Sequence, residues 1–192
     1  MLRIDMESKV YVIGNGNSRQ SIDLNSLSTD SIVTYGCNAV YRDYSPDVLV
    51  TVDNGMMHEI YCNYTGNAKI YFREWNPLPA MMREAFPTVE PIIENERNNA
   101  EEFTLNGSAW ATHITWLNRN IFPSVIDIPD IADWSTGTTA IRLALENENP
   151  SEIVLVGFDL GSDTDYVNNV YAGTKNYLPE NASAEIAYKR MN

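Results

Sequence analysis

Tyr11-Val12-Ile13-Gly14-Asn15-Gly16-Asn17-Ser18 is the stretch whose reading decides the fold. Val10 to Ile13 is an uninterrupted apolar run rich in β-branched residues, as expected of a strand covered on both faces, and two glycines cut it short. Gly14 and Gly16 allow positive φ and close backbone approach, while Asn15, Asn17 and Ser18 bring donors and amides into the same concavity. Such a turn suits a phosphate or a sugar hydroxyl, and an ordinary tight strand-to-helix connection has the same composition. It lacks the third glycine of the dinucleotide fingerprint and the Lys-Ser/Thr ending of a Walker loop, so neither a nicotinamide cofactor nor ATP follows from it.

Outward from this turn the same ending recurs. Ser31 to Tyr35 is a second predicted strand, followed by Gly36-Cys37-Asn38; Val48 to Val52 is a third, followed by Asp53-Asn54-Gly55 and a predicted helix from Met56 to Tyr64. In an open parallel sheet ligands collect beyond the carboxyl ends of the strands, so these polar turns are expected to face one crevice. Asn38 serves there either as a ligand contact or as a turn residue in the left-handed conformation. Asp53 either accepts from ribose hydroxyls, holds a divalent ion, or caps the helix. Between the first two strands, Arg19 to Ser28 predicts a short helix or an irregular apolar plug around Ile22, Leu24 and Leu27. Lys69 to Phe72 reads as a fourth strand, Leu78 to Phe86 as a helix and Glu90 to Ile93 as a strand; the rest of 88–122 has no clean period. His113, between two tryptophans, reads as a hydrogen-bonded core residue and His58 as part of a solvated helix face; neither has metal-ligand spacing.

The second strong signal is Asp133-Trp-Ser-Thr-Gly-Thr-Thr-Ala-Ile-Arg-Leu-Ala-Leu-Glu146. Ser135 or Thr136 can cap a helix whose apolar face is Ala140, Ile141, Ala144 and Leu145, and Gly137 leaves the first-turn amides uncovered. Ser135, Thr136, Gly137 and Thr138 together make a seat for a phosphate or carboxylate. Asn149-Pro150 ends that helix, and Glu152 to Gly157 is a buried strand leading to Phe158 and Asp159. From Gly161 onward the composition turns polar and aromatic without a core period, as in a lid: Tyr166, Asn168, Asn169, Tyr171 and Tyr177 are placed to cover a ligand, and a terminal helix is expected from Ala182 to Met191. The predicted architecture is a single α/β domain over 1–192, Rossmann-like, with a mainly parallel sheet flanked by helices, a core over 9–160 and a C-terminal lid-like segment.

Composition narrows the partners. The formal charge of −13 is spread along the chain, which repels duplex nucleic acid and anionic membranes and excludes nonspecific polyanion binding. A single nucleotide remains compatible, because charge is screened beyond about 8 Å and helix ends make local positive potential. No apolar run is long enough to span a bilayer. The opening Met-Leu-Arg-Ile-Asp-Met-Glu-Ser lacks a signal-peptide core, and Cys37 and Cys62 are too few for a disulfide scaffold, so a cytoplasmic location is expected. Self-association as a homo-oligomer stays open.

Taken as an ordered set, Gly14-Asn-Gly-Asn-Ser18, Gly36-Cys-Asn38, Asp53-Asn54 and Trp134-Ser-Thr-Gly137 leading to Val156-Gly-Phe-Asp159 resemble the bacterial sialyltransferases of the metal-independent, single-Rossmann-like type, and related phage and bacterial domains of unknown function. The resemblance implies that Asn15, Gly16, Ser18 and Asn38 contact a cytidine nucleotide, with Asp53 where the family often has Asn. It further implies that Ser135, Thr136 and Gly137 contact the donor and that Gly157, Phe158 and Asp159 form the matching strand end. The family's phosphate-binding tyrosines follow that strand end; Gly161 takes the first such place here, leaving Tyr166 and Tyr171 as displaced counterparts. The family's general-base histidine comes later still, whereas this chain has no histidine after His113; Asp159, Asp163 or Asp165 is then the candidate base. The expected function is glycosyl transfer from a nucleotide-sugar co-substrate without a divalent metal. The alternatives are a non-catalytic nucleotide-binding or sequestering protein and, more weakly, Mg²⁺-dependent pyrophosphoryl transfer.

Overall fold

The structure, a computed structural model, describes residues 8–29, 31–73, 103–105, 108–111, 125–128 and 134–185. Strands β1 (Lys9–Ile13), β2 (Ile32–Cys37), β3 (Val48–Thr51), β4 (Lys69–Arg73), β7 (Val125–Ile128) and β8 (Glu152–Val156) form one six-stranded sheet in the order β7-β4-β3-β2-β1-β8. Every pairing in it is parallel. A separate antiparallel pair joins β5 (Phe103–Leu105) to β6 (Ser108–Ala111). The flanking helices are α1 (Asn54–Asn63) and α2 (Thr136–Glu148). The α/β, Rossmann-like architecture expected from the sequence is therefore present, with all six strands of the main sheet parallel.

Alternation along the strands explains why both faces are covered, since successive side chains point to opposite sides. Leu49, Ile70 and Phe72 pack on one face with Met56, Met57 and Ile60 of α1. On the other face Val10, Val12, Tyr35, Val48, Val50 and Tyr71 pack with Ala140, Leu143 and Ala144 of α2. Helix α2 starts where Ser135 Oγ accepts from the Thr138 amide and stops at Asn149, whose left-handed φ of 45° lets its amide reach the Leu145 carbonyl.

Several boundaries differ from the sequence expectation. The second strand runs through Gly36 and Cys37, so only Asn38 turns. Gly36 is small for packing reasons: a Cβ there would come within 2.8 Å of Pro46 Cγ. Arg19 to Ser28, expected as a short helix or an irregular apolar plug, belongs to two short 3₁₀ helices, Asn17–Ser21 and Leu24–Leu27, with Leu27 buried against Ile13, Val40 and Val156. Strand β7 and the β5–β6 pair were not expected. The helix predicted over 78–86, the strand over 90–93, His113 and the end of the terminal helix lie outside the described residues, as does the side chain of His58.

The order of strands places a switch point beside β1. Its chain leaves toward β2, β3, β4 and β7 in turn, whereas β8 returns on the other side, and open α/β sheets bind ligands at the carboxyl side of such a reversal. Among the described residues no helix is long and apolar enough to cross a membrane.

Candidate functional site

The turns after β1 and β8 are laced together at the switch point. The Gly14 amide donates to the Val156 carbonyl at 2.7 Å and the Gly16 amide to the Gly157 carbonyl at 2.8 Å. Gly157 itself needs its glycine, because its φ is +69° and a Cβ would crowd Arg19 and the Gly14 carbonyl. Phe158 then lies between two glycines: a Cβ on Gly14 would come within 3.2 Å of its ring and one on Gly137 within 2.8 Å. The β1 turn, the β8 turn and the start of α2 thus meet around one aromatic ring.

Two amides of the β1 turn that the sequence suggested were free are taken by residues beyond β8, while Asn15 Oδ1 is buried without a hydrogen-bond partner. The Asn17 amide donates to Asn168 Oδ1 at 2.8 Å and the Ser18 amide to Asp159 Oδ2 at 3.0 Å, while Ser18 Oγ bonds the other carboxylate oxygen. Gly16 makes room for that carboxylate, which a Cβ would meet at 2.6 Å. Desolvation acts to raise the Asp159 pKa, but the Ser18 hydroxyl and amide, with Asn168, outweigh it and hold the carboxyl below the usual aspartate range. Asp159 is therefore an anchor of the turn and a weak proton acceptor. Asp163 lies in the exposed stretch beyond it.

The ends of β2 and β3 meet the start of α2 in a second cluster. Asn38 has a left-handed φ of 52°; its Nδ2 donates to Asp53 Oδ2 at 2.9 Å, and its Oδ1 accepts from the Thr51 hydroxyl. Thr136 Oγ1 lies 3.2 Å from Asn38 Oδ1 and 3.3 Å from Asp53 Oδ2, and it accepts from the Val52 amide at 3.4 Å. Asp53 holds the N-cap position of α1, yet its side chain makes no capping bond. Its carboxylate is exposed and turned toward Asn38 and Thr136. Asn54 opens α1, and its side chain lies outside those described. Ser135 and Thr138 sit at the same end of α2, their hydroxyls 3.0 Å apart.

The C-terminal segment covers these strand ends and is bolted down by Arg19, Asp43, Arg42 and Glu59, which sequence reading had not selected, together with Asn15, Tyr171 and Tyr177, which it had. Arg19 is buried and donates through Nη2 to Asp43 at 2.6 Å and to the Tyr171 hydroxyl at 2.7 Å, which in turn donates to Asp43. Arg42 grips Glu59 with Nε and Nη2, both at 2.8 Å, and reaches Thr174 Oγ1 and the Lys175 carbonyl. Tyr177 hydroxyl accepts from Asn15 Nδ2 at 3.0 Å and from the Ala39 amide at 3.3 Å. Tyr171 is thus directed at the Arg19–Asp43 pair, whereas Tyr166 is 55% exposed. Burial pushes the Cys37 thiol up to about 12, against the opposing pull of Arg19, so it is no nucleophile at neutral pH.

Among the described residues no group of three His, Cys, Asp or Glu side chains is arranged to hold a metal ion. Chemically, the rim offers an oriented carboxylate at Asp53, hydroxyls at Ser135 and Thr138, and the Thr136 and Gly137 amides at the start of α2, the Thr138 amide being taken by Ser135 Oγ. Comparison with protein-family models, with curated proteins and with solved structures returns no match.

Proposed function

We propose that the chain binds a nucleotide sugar across the carboxyl ends of β1, β2, β3 and β8 and acts as a glycosyltransferase. The observation that carries this reading is the diversion of Asp53. An aspartate at an N-cap position ordinarily contributes about 1 kcal/mol by capping, yet Asn38 and Thr136 hold this one outward at the rim. A fixed, solvent-facing carboxylate beside a helix start is suited to accept from vicinal ribose hydroxyls, while the α2 amides near Thr136 and Gly137 take the phosphate. Phe158, packed against Gly14 and Gly137, sets the spacing between the β1 turn and that helix start.

A catalytically silent nucleotide-binding protein is the second reading, and one observation favours it. Asp159 is tied to Ser18 with a lowered pKa, so it makes a poor base, and a well-placed base is worth about 10²–10⁴-fold in rate. Calorimetric titration with CMP, UMP and GMP, run beside hydrolysis assays on the matching sugar donors, separates the two. Transfer predicts binding with slow donor hydrolysis; silent binding predicts affinity without turnover; absence of any nucleotide affinity removes both.

A further inference from the structure

The cover over the strand ends is held mainly by polar contacts, and beneath it two buried atoms have no partner. Residues 161–183 form no helix or strand beyond an isolated bridge from Tyr166 to Ser183, and Tyr171 alone among them is buried. Under this stretch lie Asn15, in the turn after β1, and Arg19, in the 3₁₀ helix that follows. Tyr177 takes Asn15 Nδ2 and Tyr171 takes Arg19 Nη2, the two tyrosine rings standing 5.4 Å apart. The other arm of each side chain is buried and unpaired: Asn15 Oδ1 accepts no hydrogen bond and Arg19 Nη1 donates none. Buried polar atoms in a native fold are nearly always paired, and the Arg19 side chain is 3% exposed, so the seated arrangement is a costly one.

We propose that residues 170–177 are a gate over a phosphate site, and that Arg19 is the residue the gate hides. A guanidinium carries five donors in a planar fork and meets phosphate oxygens through them. Asp43 and Tyr171 occupy Nη2 and fix the plane of the group, which leaves Nη1 for an anion. Asn15 Oδ1, on the same turn, is an acceptor for a hydroxyl or N–H of the same ligand. The place is the one where an open parallel sheet binds its ligands: Arg19 follows the carboxyl end of β1, and a Cβ on Gly157 of the β8 turn would stand 3.1 Å from Arg19 Cβ. Both unpaired atoms are out of reach while the tyrosines are seated, so the ligand binds the open form and competes with closure. The inference adds to the proposed function a second contact for the phosphate portion of the ligand, and rests on that reading only for what the phosphate is attached to.

The test is calorimetric titration of the full chain with inorganic pyrophosphate at fixed ionic strength. Tyr171→Phe and Tyr177→Phe each remove one hydroxyl contact from the closed form and nothing from the open site, so each binds pyrophosphate about fivefold more tightly than the parent. Arg19→Met binds it at least about tenfold more weakly; the two tyrosine variants carry the test if that protein does not fold. Hydrogen exchange read by mass spectrometry supplies a second measure, because the Val170 amide donates to the Asn15 carbonyl at 2.8 Å in the closed form. Saturating pyrophosphate speeds exchange of that amide, the opposite of a lid that shuts on its ligand. The proposal is overturned if pyrophosphate binds neither the parent nor the tyrosine variants at millimolar concentrations, if neither tyrosine variant binds more tightly than the parent, or if the Val170 amide is slowed. Gated pyrophosphate binding in a chain without affinity for CMP defeats the proposed function and leaves the gate standing. CMP binding without any pyrophosphate response defeats the gate alone.

Discussion

Asn38 Nδ2 donates to the Asp53 carboxylate at 2.9 Å, joining the ends of two neighbouring strands through a residue whose own backbone is left-handed. Two demands fall on that asparagine, one from the turn and one from the carboxylate it orients. Asn38→Gly meets the first and Asn38→Ala meets neither. Alanine is expected to leave the fold about 1 kcal/mol less stable than glycine does, measured by urea unfolding. Both variants lose CMP affinity, and an Asn38→Gly protein that bound CMP normally would contradict the role assigned to the side chain.

Phe158 makes Gly137 a packing requirement. In the first turn of a helix, alanine is ordinarily favoured over glycine by about 1 kcal/mol. A Cβ at Gly137, however, would meet the Phe158 ring at 2.8 Å. Gly137→Ala is therefore expected to destabilise by about 1–3 kcal/mol, and Phe158→Leu to recover part of that loss in the double variant. Thermal unfolding of the four proteins of the cycle decides; a Gly137→Ala protein more stable than the parent would refute the packing account.

Arg19 anchors the cover. Its side chain is 3% exposed while Asp43 is 50% exposed, so solvent screening weakens the pair but leaves an expensive charge to strand. Asp43→Asn is expected to cost about 2–3 kcal/mol by urea unfolding. Tyr171→Phe, which removes one neutral partner, should cost about 1 kcal/mol. Near-equal, negligible losses would show that the pair does not hold the segment.

How much of this was legible in the sequence follows from the range over which each signal acts. Strands β1, β3, β4 and β8 were visible because a strand buried on both faces writes its apolar run locally, as in Val48 to Thr51. The Gly14, Asn38, Asp53 and Thr136 positions were also legible, and the structure gathers Asn38, Asp53 and Thr136 into one hydrogen-bonded group. The partners of those residues were not. Nothing near Gly16 announces that its missing Cβ admits Asp159, and nothing near Tyr171 or Tyr177 indicates that Arg19 and Asn15 await them across the chain. Strand β7, Val-Ile-Asp-Ile, has the same length as Val48 to Thr51, but an aspartate interrupts its apolar run and only Ile128 is buried, so it lacks the continuous signal of a strand covered on both faces.

Asp159 gives the chain an acid-sensitive contact. Its folded pKa lies below the ordinary value of about 3.9, so its contribution to stability is complete above that value and is lost as pH falls through the folded pKa. Unfolding free energy measured between about pH 2 and 5 should fall less steeply for Asp159→Asn than for the parent. Parallel profiles would mean that Ser18 does not stabilise the carboxylate.

The central claim is that Asp53 is held at the rim for a ligand. Calorimetric titration of CMP into the parent chain and into Asp53→Asn tests it most directly. Because Asp53 does not cap α1, the variant should unfold within about 0.5 kcal/mol of the parent, yet bind CMP at least about tenfold more weakly. A parent chain that takes up no nucleotide, or an Asp53→Asn protein that binds CMP as tightly, would contradict the account.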